Sequence, residues 1–174
     1  MANNWYMLTL IGEDKPGIVA AITRALYDLG FNLGETSMLR LGGNFTIMMM
    51  VTGREDEEAF RAQLKPVIEA QGMRLHIDPI AGRLHEHLLP NVQVTVSGAD
   101  RAGIVAQVTE VLSAEGFNIL DLESDVAGTT EEPVYIMQIA GITEHPVESI
   151  DAAMADLRNS GVDINVSAID TYIG

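Results

Sequence analysis

Asp14-Lys-Pro-Gly-Ile-Val-Ala20 recurs as Asp100-Arg-Ala-Gly-Ile-Val-Ala106, 86 positions later in a chain of 174 residues. The match continues on both sides. Thr9-Leu-Ile-Gly12 answers Thr95-Val-Ser-Gly98, and Gly30-Phe-Asn-Leu33 answers Gly116-Phe-Asn-Ile119. Self-similarity at a fixed period marks a duplicated structural unit. The chain therefore reads as two domains of about 85 residues, each large enough for a small core. The first is expected over 1–80 and the second over 91–174. The residues between, 81–90, lack periodicity and read as a linker.

Each repeat carries the same order of elements. Trp5 to Ile11 is mostly apolar and ends at Gly12, as a buried strand would. Pro16 suits the first helical position, where its missing N–H has no partner to lose. Ile18, Ile22, Leu26 and Leu29 follow at helical spacing, and Gly30 stops the helix. Leu33 to Leu41 and Phe45 to Val51 are two strands joined through Gly42-Gly43-Asn44, a hairpin signal. Thr52-Gly-Arg-Glu55 has the form of a capping box before a helix carrying Phe60, Leu64, Val67 and Ile68. Met73, Leu75 and Ile77 alternate as a last strand. In the second copy, Val162, Ile164 and Val166 follow by 89 positions rather than 86, so three extra residues are expected in its hairpin near Gly128-Thr-Thr-Glu-Glu132. Strand-helix-strand-strand-helix-strand folds as an antiparallel sheet with two helices on one face. The expected class is α+β, with two ferredoxin-like βαββαβ domains. Phe45-Thr-Ile-Met-Met-Met-Val51 is apolar on nearly every residue, so its second face or a sheet edge should be covered by another repeat or another chain.

Composition narrows the function. Ten basic and 25 acidic residues give a formal charge of −15, which repels a phosphate backbone, so no direct nucleic-acid binding is expected. The absence of cysteine excludes disulfides, thiol catalysis and cysteine-based zinc sites. No apolar run reaches the roughly 20 residues of a membrane helix. Met1-Ala-Asn-Asn-Trp5 lacks the basic start of a secretory signal. A soluble cytoplasmic protein is expected. The repeated phrase sits where a strand becomes a helix, a favourable place for a small anion.

Asp14-x-Pro16-Gly17-Ile18, with Gly30-Phe31-Asn32 at the next strand, resembles the ACT domain family, and the resemblance covers both repeats. These are small regulatory modules that bind amino acids, typically where the first loop of one domain meets the second strand of a neighbour. Stand-alone chains of two such domains resemble the glycine cleavage system transcriptional repressor group. The resemblance implies a small amino acid as ligand and a homo-oligomer. It also implies a regulatory protein partner, such as a transcription factor of glycine or one-carbon metabolism. No cofactor and no catalytic residue are implied.

The candidate ligand residues are Asp14, Pro16, Gly17, Ile18 and Asn32, with Asp100, Gly103, Ile104 and Asn118 as the second set. The amides of Gly17 and Ile18 should be free at a helix start, whose dipole favours a carboxylate. Asn32 both donates and accepts, which suits a zwitterion. Asp14 could hold the ammonium group. Plainer roles stand beside these. Asp14 and Asp100 could cap their helices, Gly17 could ease packing, and Asn32 and Asn118 could be turn residues. The second copy has Ala102 where Pro is expected, so its loop is less preorganised.

Asp121, Glu123 and Asp125 share one strand face and could hold a hard cation, though such a run is more often a solvated face. His85-Glu-His87 lacks a third metal ligand and fits a polar linker. Two further readings remain. One is an interaction module with empty sites. The other is an enzyme, for which no nucleophile–base pair or metal cluster repeats between the halves.

Overall fold

The computed structural model describes residues 3–81, 88–99, 103–129 and 133–169. The chain divides into two compact units, Met1–His85 and Glu86–Gly174. The first contains β1 (Asn4–Glu13), α1 (Ile18–Asp28), β2 (Asn32–Leu41), β3 (Asn44–Gly53), α2 (Glu57–Ala70) and β4 (Met73–Ile80). Its sheet runs β2-β3-β1-β4, antiparallel throughout. The second contains β5 (Val92–Ala99), α3 (Ile104–Ala114), β6 (Asn118–Gly128), β7 (Pro133–Ile142), α4 (Val147–Ala153), α5 (Ala155–Asn159) and β8 (Asp163–Ala168). Its sheet runs β6-β7-β5-β8, the same topology.

Sequence periodicity explains the layers. Tyr6, Leu8 and Leu10 of β1 and Phe45, Ile47, Met49 and Val51 of β3 point to one face and are buried. Ile18, Ile22 and Leu26 of α1 and Phe60, Leu64 and Ile68 of α2 cover them at helical spacing. The apolar run of β3 thus splits by the period of two: Thr46, Met48, Met50 and Thr52 fall on the opposite face, half-buried or exposed. In the second unit Val92, Val94, Val96, Met137 and Ile139 meet Ile104, Val108, Leu112, Ile150 and Met154.

Both sheets end in a free edge strand. Every residue of β2 is exposed, and Ile119 is the one residue of β6 that is not. Each edge strand carries a register shift near its start, between Leu33 and Thr36 and between Ile119 and Asp121. A bulge repeated at the same place bends both edges alike.

The loops depart from the sequence expectations in four places. Helix α1 begins at Ile18 with Gly17 as its N-cap, so Pro16 lies before the helix rather than in its first turn. Asp14 does not cap α1, because no side chain bonds to that helix start. Helix α2 is capped by Asp56, whose carboxylate accepts the Ala59 amide at 2.8 Å, and not by a box starting at Thr52. The inserted residues number four in the hairpin, with one lost later. Leu8 pairs with Met49 and Val94 with Ile139, an offset of 90 on the third strand, and the last strand returns to 89, where Ile11 pairs with Arg74 and Ser97 with Asp163. The loss lies between β7 and β8, where the 14-residue α2 is replaced by α4 and α5 meeting at Met154.

Aromatic packing closes the first core. Phe31 stacks on Phe60 with ring centroids 3.9 Å apart, and Tyr6 lies 5.4 Å from Phe60. The Phe31 ring lies over Gly53, where a Cβ would sit 2.5 Å from it. Tyr6 donates its hydroxyl to the Glu55 carbonyl at 2.9 Å. Burial pushes its phenol above the ordinary value of 10.0; Asn4 opposes this and the Asp56 and Glu57 charges add to it. The bond is therefore intact at neutral pH, and its contribution is lost only as pH rises through that raised value.

Candidate functional site

The repeated phrase forms the loop between β1 and α1. Gly17 stands at φ +90° and Gly103 at φ +93°, a left-handed conformation. A Cβ at either position would meet nothing within 4 Å, so glycine is there for its backbone and not to make room. Gly17→Ala is expected to cost the first unit about 1–2 kcal/mol, the penalty of left-handed backbone for an L-residue. A urea midpoint that does not move would show that the loop relaxes to another conformation. The Ala21 N–H is the first to reach back, to the Gly17 carbonyl at 3.0 Å. The amides before it open on the loop.

A second strand completes this site. The Asp14 N–H donates to the Gly43 carbonyl at 3.2 Å and ties the loop to the hairpin turn. That turn has φ +57° at Gly42 and +76° at Gly43, the two positive angles of a tight hairpin. Arg40, near the end of β2, donates through Nε to Asp14 Oδ2 at 2.7 Å and through Nη2 to the same oxygen. Asp14, Pro16, Gly17, Ile18, Met38 and Arg40 line one cavity of about 400 Å³. Arg40 and Met38 were missed by the sequence reading.

Asn32 is not in this cavity. It starts β2, opposite Thr52, whereas Arg40 ends it, opposite Phe45. Eight residues of extended strand separate them by about 26 Å. Asn32 borders a different cavity of about 380 Å³ with Gly30, Thr52, Arg54 and Glu55. One domain therefore brings Asp14, Pro16, Gly17 and Ile18 together and holds Asn32 apart.

The second unit repeats the frame without the charge pair. Gly103 caps α3, its carbonyl accepting from Gln107 at 2.9 Å, and Ile104 is buried behind it. Asn118 starts β6 opposite Ile142. Asp100 and Ala102 lie outside the described residues. At the register position of Arg40 stands Val126, opposite Tyr135 as Arg40 is opposite Phe45.

Asp121, Glu123 and Asp125 do share a face of β6, opposite Ala140, Gln138 and Ile136. Among the described residues no group of three or more His, Asp or Glu side chains is arranged to hold a metal ion. His85 and His87 lie outside the described residues. No described helix is long and apolar enough to cross a membrane.

The comparisons agree with this architecture. Over 153 residues the chain is 27% identical to the glycine cleavage system transcriptional repressor of Escherichia coli strain K12, covering 87% of this chain and 80% of that one. A crystal structure of an unknown protein from Galdieria sulphuraria matches with a TM-score of 0.75 at 24% identity, over 97% of this chain and 100% of that one. A crystal structure of a proposed glycine cleavage system transcriptional repressor matches with a TM-score of 0.72 at 16% identity, over 98% of this chain and 100% of the other. At those identities the two structures speak for the fold. The profile of the ACT domain matches residues 6–78 and again residues 92–159. One match on each unit makes this chain a member of the ACT domain family, carrying two such domains in tandem.

Proposed function

We propose that this chain is a non-enzymatic regulator that binds a small amino acid at the first loop and passes its state to a partner protein. The observation that carries the reading is the Asp14–Arg40 pair beside an open helix start. Arg40 uses two donors on Asp14 Oδ2. A guanidinium has five N–H donors, so others remain for a ligand carboxylate, which the helix start also attracts. Asp14 Oδ1 remains for an ammonium group. A zwitterion matches both ends of this pair.

Asn32 enters this reading from a second copy. Antiparallel pairing of two β2 edges about their middle sets the Asn32 end of each against the Arg40 end of the other. Leu33, Met38, Leu39 and Leu41 leave an apolar, exposed edge for it. The β6 edge is less suited, because self-pairing would face Asp121, Glu123 and Asp125 with like charges. A ligand across such a contact shifts the balance of assembly states only by its differential affinity for them. The relative named as a transcriptional repressor points to gene control in the cytoplasm. The charge of −15 points to a transcription factor as the partner that meets DNA.

The exposed β2 edge also supports the second reading, an interaction module with empty sites. Thermal unfolding against the common amino acids separates the two. A ligand that binds only the folded state at a hundred times its Kd adds about 2.7 kcal/mol. A selective rise in midpoint with one amino acid is expected. A flat series would leave the interaction module.

A further inference from the structure

We propose that the cavity at the far end of β2 is a second ligand site, for a small carboxylate that also carries an amine, with Arg54 as its anchor. The inference rests on the amino-acid reading for the class of ligand. The cavity itself lies wholly within the first unit and needs neither the loop pocket nor a second copy.

Its lining has the donors and acceptors of a binding site. Asn3, Gly30, Asn32, Thr52, Arg54 and Glu55 surround about 380 Å³. Arg24, Arg40, Arg61 and Arg158 are each held by a carboxylate of this chain. Arg54 and Arg74 make no ion pair among the described residues, and of these two Arg54 lines this cavity. A guanidinium left without a counterion at a cavity suits a planar carboxylate, which it can bind with two parallel hydrogen bonds.

Thr52 supplies a second, independent sign. Its Oγ1 is buried and is the one such side-chain atom without a hydrogen-bond partner among the described residues. Burying a hydroxyl unpaired is unfavourable. Thr52 lines the cavity, and another staggered χ1 position would bring its Oγ1 to an occupant. Asn32 faces Thr52 across the strand pair and can both donate and accept. The opposite end of the cavity suits an ammonium group. Leu29 and Gly30 close the C-terminal end of α1, where the helix dipole is negative, and the Glu55 carboxylate makes no bond with another described side chain.

The second unit acts as an internal control. Ile142 stands opposite Asn118 as Thr52 stands opposite Asn32. Two residues beyond, Glu144 occupies the place of Arg54. An apolar side chain and a reversed charge cannot hold a carboxylate, so the second unit has no matching site.

The test is amide-resolved NMR of the full chain titrated with the common amino acids, glycine and L-serine first. At least one is expected to shift the Gly30, Gly53 and Arg54 amides saturably. Arg54→Ala should weaken that response about tenfold, as loss of a hydrogen bond to a charged group does. Arg54→Lys should keep part of it, and Glu144→Ala should leave it unchanged. Arg54 is exposed, so the melting midpoint of its variants should hold. A response that survives Arg54→Ala overturns the proposal, as does the lack of any saturable shift at these three amides. Shifts confined to Gly17, Ile18, Arg40 and Asn32 would uphold the loop site and overturn this one. Shifts at the far cavity alone would do the reverse, and silence at both places would overturn both.

Discussion

Gly141→Ala is expected to destabilise the second unit by about 3 kcal/mol, the upper end of the usual cost of overpacking. For a domain of this size that lowers the midpoint by roughly 12 °C or more. The added Cβ would lie 2.2 Å from Phe117 Cε1 and 2.4 Å from the Asn118 carbonyl oxygen. A ring can turn; a carbonyl in a strand ladder cannot. Asn118 pairs with Ile142 and Ile119 with Gly141, so relief requires parting β6 from β7. Gly53→Ala gives the contrast. Its three close contacts, at 2.5 to 2.8 Å, are all atoms of the Phe31 ring. The strand stays in place and only the stack on Phe60 is disturbed, so the cost should be smaller, nearer 1–2 kcal/mol. Calorimetry of the two variants decides this, provided the units melt as separate transitions. Equal losses at both sites would remove the carbonyl from the explanation.

These glycines mark how far the sequence could be read. The repeat, the βαββαβ order and the buried stripes were legible because hydrophobic period and a duplicated phrase are local properties. Gly53 and Gly141 were not, since their role depends on a phenylalanine that arrives from the end of a helix. Gly17 was legible as a glycine the loop requires, but for another reason. The sequence suggested close approach of a ligand, whereas the backbone angle alone demands it. Arg40 was missed because it lies 26 positions from Asp14, and only the hairpin brings the two together. One signal was available: the second copy has Val126 at the matching place, so the two repeats differ in charge there. Asn32 was grouped with Asp14 because the resemblance sets the first loop of one domain against the second strand of a neighbour. Strand length keeps the two apart within one domain, as a ten-residue strand puts its ends about 30 Å apart.

That distance makes Arg40 the sharpest test of the function. Arg40→Ala is expected to weaken amino-acid binding at the loop by about tenfold to a hundredfold, the usual range for hydrogen bonds to a charged group. Its effect on stability should be small. The Arg40 side chain is 68% exposed and that of Asp14 26%, and exposed ion pairs contribute about 0–1 kcal/mol. Asp14→Asn should also weaken binding, by removing the partner of the ammonium group while freeing Arg40. If the two side chains act as one receptor for a zwitterion, the double variant will lose less than the sum of the single losses. Calorimetric titration of the four proteins, at two ionic strengths, closes the cycle. Added salt should weaken binding to the parent chain more than to the double variant, because the charges that salt screens are then gone. Additive losses would mean that Asp14 and Arg40 act separately. Unchanged affinity in Arg40→Ala would move the ligand off the loop altogether and leave the pair as a brace between β2 and the helix start.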